Sequence, residues 1–381
     1  MKHILHIMSL SRRAGLEVMF LNYLKFMKKN NPEIISYQHV LGINMSNYFR
    51  KELIRLGVNV YECKKQGKLD ISPIKLANQI IKQKDIKIIY GQNFIGNTIA
   101  SILSIKYRNA RIVCHEHGTS WNTKGFTYFI TRLWIKKSDV IICNSKAAAI
   151  LLKKRFMANE GKLKIIYNGV PKRPKKNIHK EKKKLLFVGR LDIVKSPHTV
   201  IYMMSDLVKR DDSITLEVLG EGKYESELKE LTKKLNLSKN IIFRGNVEDV
   251  DSYMANATLL ILPSMREPLG NVTIEAAFQE TPTVATKVDG IPEVIKNNET
   301  GVLIEPKEKL YNHLPVKKVV NIETEKLQRP LSPSSKELAD VVYKLLMNEE
   351  KVKKMGKNAC NYVTKKFSME KYYENLTKVI K

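Results

Sequence analysis

Cysteine is scarce in this chain. Cys63, Cys114, Cys143 and Cys360 stand far apart, two of them in apolar strand candidates, and form no metal-ligand spacing. That excludes a disulfide scaffold and a zinc module and leaves buried, reduced thiols. Long apolar runs are missing as well. No stretch reaches the roughly 18–20 residues of a membrane span, and the opening MKHILHIMSL is too short and strand-like for a signal peptide. Acid is in short supply: 38 Asp+Glu face 67 Lys+Arg, a net charge of +29. The shortage is uneven, because residues 1–170 hold 29 basic residues against 9 acidic ones, an excess of 20. Such an excess suits an anionic partner, whether nucleic acid, an anionic lipid surface or a phosphorylated substrate. The plain alternative is a lysine-rich composition on solvated faces. Nucleic acid is set aside because no recognisable module interleaves aromatics with the basic residues.

What is present is length and alternation. A chain of 381 residues with 43% hydrophobic content has room for two domains with sizeable cores. Lys2–Met8 reads as a strand and Gly15–Lys29 as a helix with Leu16, Met19, Phe20, Tyr23 and Leu24 on one face. Strand candidates follow at Ile34–Leu41, Val58–Tyr61, Ile86–Tyr90, Arg111–Cys114, Val140–Cys143 and Ile165–Tyr167, with helical stretches between. The run PKRPKKNIHKEKKK, residues 171–184, is almost free of apolar residues and reads as a basic linker. A second series begins at Leu185–Gly189 and continues through Ile214–Leu219, Ile241–Arg244, Leu259–Leu262, Thr283–Thr286 and Val302–Ile304. Each series argues a doubly wound parallel sheet. The domains expected are 1–170 and 185–366. The pattern weakens over about 307–333, which reads as an insertion. Helices resume at Lys336–Met347 and Glu350–Lys366, and residues 367–381 end in a helix at Met369–Ile380.

The chemistry gathers around Leu259–Val294. An apolar strand stops at Pro263, a loop carries Glu267, Pro268 and Gly270, and a helix opens near Asn271, a candidate N-cap, running on through Val272 and Glu275. Ligands of open α/β sheets bind beyond the carboxyl ends of strands, where loops feed helix N-termini, and free amides at Gly270 and Asn271 suit an anion. Glu267 and Glu275 lie eight positions apart, roughly 12 Å of rise on one continuous helix. That argues against a close acid/base pair of the glycosidase kind, which needs about 5–9 Å. It suits two acids on different hydroxyls of one extended ligand. Arg190 follows directly on a strand, and Lys195 precedes Ser196-Pro197, read as N-cap and first residue of the next helix. Two cations and free amides at one point fit a diphosphate. Asp249-Val-Asp251 spells a D-x-D, but at a helix start, so no metal is expected there. Cys114-His115-Glu116-His117-Gly118 lacks a third ligand at metal spacing.

Glu267-Pro-Leu-Gly270 with Glu275, Thr281-Pro-Thr-Val-Ala-Thr286, Gly290-Ile-Pro-Glu293 and Val188-Gly189-Arg190 through Lys195-Ser-Pro197, taken in order, resemble the donor-site signature of glycosyltransferase family 4. The resemblance is strongest over about 185–306 and weaker but ordered over 1–170. It implies the GT-B fold, an α/β architecture of two Rossmann-like doubly wound domains facing a central cleft, with the last helix crossing back to the first domain. It implies Arg190 and Lys195 on the donor diphosphate, Glu267 on sugar hydroxyls and Glu275 on the nucleotide ribose. The turns Leu219-Gly-Glu-Gly222 and Phe243-Arg-Gly-Asn246-Val247 would surround the nucleotide. The family's His-Gly after the strand falls on His117, with His115 the alternative, near the transferred sugar. Ala14-Gly15-Leu16-Glu17 takes the place of Gly-Gly-x-Glu, so Gly15 would approach the donor while Ala14 departs from the pattern.

The expectation is a retaining hexosyltransferase that uses a nucleotide sugar, expected to carry UDP, and an acceptor that is lipid-linked or a polysaccharide. It would act in cell-surface glycan synthesis, such as capsule or lipopolysaccharide, with no cofactor or metal. A phosphorylase or epimerase on the same fold is the enzymatic rival, though no pyridoxal-phosphate lysine motif is evident. The charge of residues 1–170 points to a cytoplasmic protein held on the inner face of an anionic membrane. The cations concerned are Lys25, Lys28 and Lys29; Arg50, Lys51 and Arg55; Arg132, Lys136 and Lys137; and Lys153, Lys154 and Arg155. Phe49, Trp134 and Phe156 are the candidates to dip into the interface, or else are core.

Overall fold

The computed structural model describes residues 2–12, 15–67, 70–176, 178, 180–311 and 314–380. The chain divides into two compact units, residues 1–171 with 369–381, and residues 172–368. Unit 1 holds the strands β1 (His3–Ser9), β2 (Gln38–Ile43), β3 (Asn59–Cys63), β4 (Ile86–Gln92), β5 (Arg111–Glu116), β6 (Val140–Cys143) and β7 (Leu163–Ile165). Its helices are α1 (Gly15–Asn30), α2 (Asn47–Leu56), α3 (Ser72–Lys84), α4 (Asn93–Leu103), α5 (Phe126–Lys137) and α6 (Lys146–Phe156). Among the described residues these strands form one seven-stranded parallel sheet in the order β3-β2-β1-β4-β5-β6-β7. Parallel strands are covered on both faces, which is why β6 reads as an unbroken apolar run rather than an alternating one.

Unit 2 repeats the plan with β8 (Lys184–Val188), β9 (Thr215–Leu219), β10 (Ile241–Gly245), β11 (Leu259–Leu262), β12 (Thr283–Thr286) and β13 (Gly301–Ile304). The order is β10-β9-β8-β11-β12-β13, and every pairing is parallel. The helices are α7 (Pro197–Arg210), α8 (Glu225–Lys234), α9 (Val250–Asn256), α10 (Asn271–Phe278), α11 (Ile291–Val294), α12 (Ser335–Leu346) and α13 (Glu349–Lys366). One face of the sheet, with Leu185, Phe187, Leu259 and Ile261, packs on Met203, Leu207, Leu338 and Val342, all buried. Each such side chain contributes about 1.5–3 kcal/mol. Residues 306–333 leave the doubly wound plan. β14 (Pro306–Glu308) pairs antiparallel with β17 (Ser332–Pro333), and β15 (Val319–Asn321) with β16 (Lys326–Gln328). The last helix, α14 (Met369–Ile380), belongs to unit 1, where Tyr372 meets Tyr23 edge to face at 5.5 Å and Leu376 is buried.

Several expectations are corrected. Ile34–Leu41 is not one strand: Pro32–Tyr37 forms a 3-10 turn and β2 begins at Gln38. Pro32 fixes a helical φ at the start of that turn and has no N–H for a ladder. The last strand of unit 1 is Leu163–Ile165 rather than Ile165–Tyr167, and the ladder ends as the Ile166 amide bonds to the Cys143 carbonyl at 2.9 Å. Phe49, Trp134 and Phe156 are core residues, 1%, 1% and 2% exposed, because each lies on the inward stripe of its helix. All four cysteines are free, and Cys114 and Cys143 lie inside the sheet. Among the described residues no helix is long and apolar enough to cross a membrane.

Candidate active site at the switch point of the second sheet

Strand order reverses between β8 and β11, and there the loops leaving two neighbouring strands run in opposite directions and open a crevice. The loop after β8 carries Arg190, Asp192 and Lys195. The loop after β11 carries Ser264, Glu267 and Gly270. A backbone bond from Met265 N–H to the Val194 carbonyl, 2.9 Å, ties the loops together. The Lys195 ammonium and the Glu267 carboxylate form an ion pair across them, and the Ser264 hydroxyl donates to the same carboxylate at 3.3 Å. Asp192 turns its loop back by accepting from Val194 N–H at 3.1 Å and holds the Arg190 guanidinium at 3.0 Å. Arg190 remains 73% exposed along its side chain, so its charge stays available to an anion.

Arg190, Gly222, Asn246 and Val247 line one cavity of about 520 Å³ at the carboxyl ends of β8, β9 and β10. A Cβ at Gly222 would collide with the Leu191 carbonyl, so only glycine lets the turn after β9 close on the Arg190 loop. At the other side, Gly270 rather than Asn271 is the cap of α10. Its φ of 91° is left-handed, which glycine adopts without penalty, and Asn271 is the first helical residue. Val272 is half-buried on the first turn of α10. The α10 N-terminus thus opens beside Glu267, with its first amides directed out of the helix.

Glu275, one turn further on, is held by Arg173 at 3.0 Å, and Arg173 also holds Asp251 at 2.6 Å. Burial pushes the Glu275 carboxyl up, and the Arg173 guanidinium draws it partly back. Arg173 sits in the basic segment 171–184, and its neighbours likewise face unit 2, Lys175 on Glu280 and Lys176 on Asp249. The D-x-D acids are therefore engaged: Asp249 caps α9 through Ser252 N–H and pairs with Lys176, and Asp251 pairs with Arg173.

Sequence reasoning missed Arg173 and one further residue. Asp289, 1% exposed, accepts from Glu267 N–H at 3.0 Å through Oδ2 and from Val320 N–H at 2.7 Å through Oδ1. Gly290 N–H bonds the Glu267 carbonyl at 3.1 Å, so Glu267 is clamped on both sides of its backbone. Asp289 has a φ of 44°, a left-handed conformation that costs a non-glycine residue about 1–2 kcal/mol. Aspartate at a left-handed turn position beside Gly290 was the available signal.

In unit 1, Gly15 opens α1 and is exposed, while Ala14 lies outside the described residues. His117 is half-buried as a residue, yet both its ring nitrogens are shut from solvent with no hydrogen-bond partner among the described residues, and its ring lies 3.7 Å from that of His115. Burial lowers the His117 pKa to about 3, so the ring is neutral at physiological pH. His115 is engaged: the Tyr90 hydroxyl lies 2.7 Å from its Nδ1. Between them, the buried Glu116 carboxylate accepts from Gly118 N–H at 2.7 Å, Ser120 N–H at 3.0 Å and the Ser120 hydroxyl at 2.6 Å, and so fixes the loop after His117.

Two doubly wound parallel sheets with an anion-ready switch point in the second define a GT-B protein. Glycosyl transferases group 1 matches residues 171–329 and Glycosyltransferase Family 4 matches residues 12–173, and the chain belongs to this family of retaining glycosyltransferases. N-acetyl-alpha-D-glucosaminyl L-malate synthase of Bacillus anthracis is 23% identical over 330 residues, 82% of this chain and 79% of that one. The capsular polysaccharide biosynthesis glycosyltransferase CapM of Staphylococcus aureus is 25% identical over 66% of this chain and 65% of its own length. The uncharacterized glycosyltransferase MJ1607 of Methanocaldococcus jannaschii is 29% identical over 169 residues, and the match spans 43% of that protein and 40% of this one. Among solved structures, Anabaena Alr3699/HepE in complex with UDP superposes with a TM-score of 0.78 at 18% identity over 99% of both chains. The same protein has been solved with UDP-glucose.

Proposed function

We propose that this retaining glycosyltransferase takes its sugar from a UDP-sugar and delivers it to a lipid-linked or polysaccharide acceptor in cell-surface glycan synthesis. The reading rests on one observation: the switch point of unit 2 gathers Arg190, Lys195, Glu267 and the α10 N-terminus, with the cavity lined by Gly222, Asn246 and Val247 beside Arg190. The diphosphate takes the place that Glu267 now fills on Lys195, and Arg190 reaches it from the exposed side. Charge that develops on the leaving phosphate is then met by two cations and helix amides fixed in advance. Glu267, released from Lys195 and still held by Ser264 and the clamp on its backbone, accepts from sugar hydroxyls. Glu275 accepts from the ribose.

Retention follows a front-face course. The acceptor oxygen bonds to the anomeric carbon on the face from which the diphosphate departs, and its proton passes to the leaving phosphate. No carboxylate nucleophile takes part. HepE bound to UDP and UDP-glucose supports the nucleotide, and CapM supports a polysaccharide pathway. The excess of 20 positive charges in residues 1–170 supports residence on the anionic inner face of the cell membrane. A thermal-shift panel of UDP-, GDP- and ADP-sugars tests the donor. A ligand at 100 times its Kd stabilises by about 2.7 kcal/mol, so the UDP-sugar should raise the melting temperature where the others do not. Stabilisation by a GDP- or ADP-sugar alone would refute the nucleotide assignment.

A further inference from the structure

Part of the positive charge on unit 1 is engaged by the fold. Lys25 and Arg55 pair with Glu52, Arg50 with Glu62 and Lys153 with Glu160. Arg155 donates to the carbonyls of Ser120, Trp121 and Thr123. The helix α5, acid-free like α3 and α6, differs in setting an exposed apolar stripe beside its cations. Its sequence, FTYFITRLWIKK, contains no acid. Thr131, Trp134 and Ile135 point into the core, while Phe126, Phe129 and Leu133 are 77%, 68% and 40% exposed. Those three fall at i, i+3 and i+7, which is one stripe of a helix. Arg132, Lys136 and Lys137 flank the stripe, are exposed, and find no acidic partner among the described residues. Beside it runs a groove of about 620 Å³ whose lining includes Met157, itself 68% exposed, and Lys162.

A contiguous apolar surface rimmed by polar groups marks an interaction site rather than a scatter of exposed residues. Here the rim is cationic. We propose that this face of α5 docks on an anionic lipid bilayer. Phe126, Phe129 and Leu133 enter the boundary between headgroups and acyl chains, and Arg132, Lys136 and Lys137 meet lipid phosphates in the plane above them. The charge decides the occupant: an apolar stripe bordered by cations, on a helix without acid, complements a surface that is anionic outside and apolar within. The inference builds on the reading of a membrane-bound acceptor, but its test needs no transfer reaction.

The test floats the full chain with vesicles of phosphatidylglycerol in phosphatidylcholine, and with phosphatidylcholine alone, over a range of salt. The wild type should float with anionic vesicles, stay down with neutral ones, and detach as salt rises. The combined variant Phe126→Ser, Phe129→Ser, Leu133→Ser should partition about tenfold less or weaker still, as should Arg132→Gln, Lys136→Gln, Lys137→Gln. Removing the same charge from α3, as Lys75→Gln, Lys82→Gln, Lys84→Gln, should change partition by less than about twofold. UDP-sugar thermal shifts should match the wild type in all three, since none of these residues lies in the donor site; loss of that shift with flotation intact would count against the donor reading alone. Failure of the wild type to float, equal partition to neutral vesicles, wild-type flotation of the apolar variant, or equal losses from the two charge variants would each overturn the docking surface.

Discussion

Asp289 offers a direct test of how the acid loop is held. Its carboxylate accepts two backbone amides, Glu267 N–H and Val320 N–H, in a site closed to solvent. Removing it in Asp289→Ala leaves two buried donors unpaired, each costing about 1–3 kcal/mol, so unit 2 should lose about 3–4 kcal/mol. Asp289→Asn keeps an acceptor for one of them and should lose about 1–2 kcal/mol. Asp289→Gly removes the same carboxylate as alanine does but relieves a φ of 44°, so it should be about 1–2 kcal/mol less damaging than alanine. The expected order of stability is therefore Asp, Asn, Gly, Ala. Turnover tells a second story. Glu267 freed from its clamp need shift only about 1 Å to cost about 10²-fold in rate, so kcat should fall in the alanine variant while the donor KM moves little. Denaturant unfolding gives the stabilities and steady-state transfer gives the kinetic split. A glycine variant no more stable than alanine would refute the backbone argument, and a folded alanine variant with wild-type kcat would refute the positioning of Glu267.

Other expectations follow from the same geometry. Arg190→Ala and Lys195→Ala should each lower transfer by about 10²–10³-fold without unfolding the chain, and wild-type rates in both would remove them from the leaving-group site. Glu275→Ala should raise the donor KM more than it lowers kcat, and Glu267→Ala the reverse; parallel defects would deny them separate roles. Arg173→Gln removes the cation that counters the raised Glu275 pKa, so the acid limb of donor affinity should move to higher pH, and an unmoved limb would count against the pair. Activity should survive EDTA, because Arg190 and Lys195 supply the positive charge; loss restored by magnesium or manganese would show otherwise. Burial lowers His6 to about 4 and His117 to about 3, and each takes up a proton on unfolding below its ordinary value near 6.5. Their contribution is whole above that pH and is lost as pH falls toward those values, about 2 kcal/mol for His6 at pH 5. Both tryptophans, Trp121 and Trp134, belong to unit 1, so their fluorescence should show its melting point falling between pH 7 and 5; a flat profile would refute the buried neutral histidines.

The doubly wound sheets were legible because fully buried parallel strands leave apolar runs of the right length, as at Val140–Cys143, Leu259–Leu262 and Thr283–Thr286, each of which matches its strand at both ends. The donor loops were legible because a strand end, a turn glycine and a helix start are all local signals. What escaped was set by contacts distant in sequence. Ile34–Tyr37 has strand-like composition, but Pro32 starts a 3-10 turn there. Phe49 and Phe156 sit beside cations in the chain yet face inward, since a helix separates neighbours by about 100°. The Arg173–Glu275 and Asp289–Glu267 contacts join residues 102 and 22 positions apart, and no periodicity encodes them.

The excursion at residues 306–333 has its two feet side by side, Pro306 opposite Pro333. A segment that leaves and returns at one place can be spliced out at the level of the gene without moving the sheet, and a short turn could join β14 to β17. Its middle, however, is what Asp289 grips: Val320 donates to the carboxylate, and Asp289 N–H donates to the Val320 carbonyl at 3.0 Å. Excision alone would leave the Asp289 side chain in a left-handed turn without its Val320 partner. The excursion and the side chain at 289 are therefore heritable only as a pair, and a shortened gene would be expected to carry glycine there.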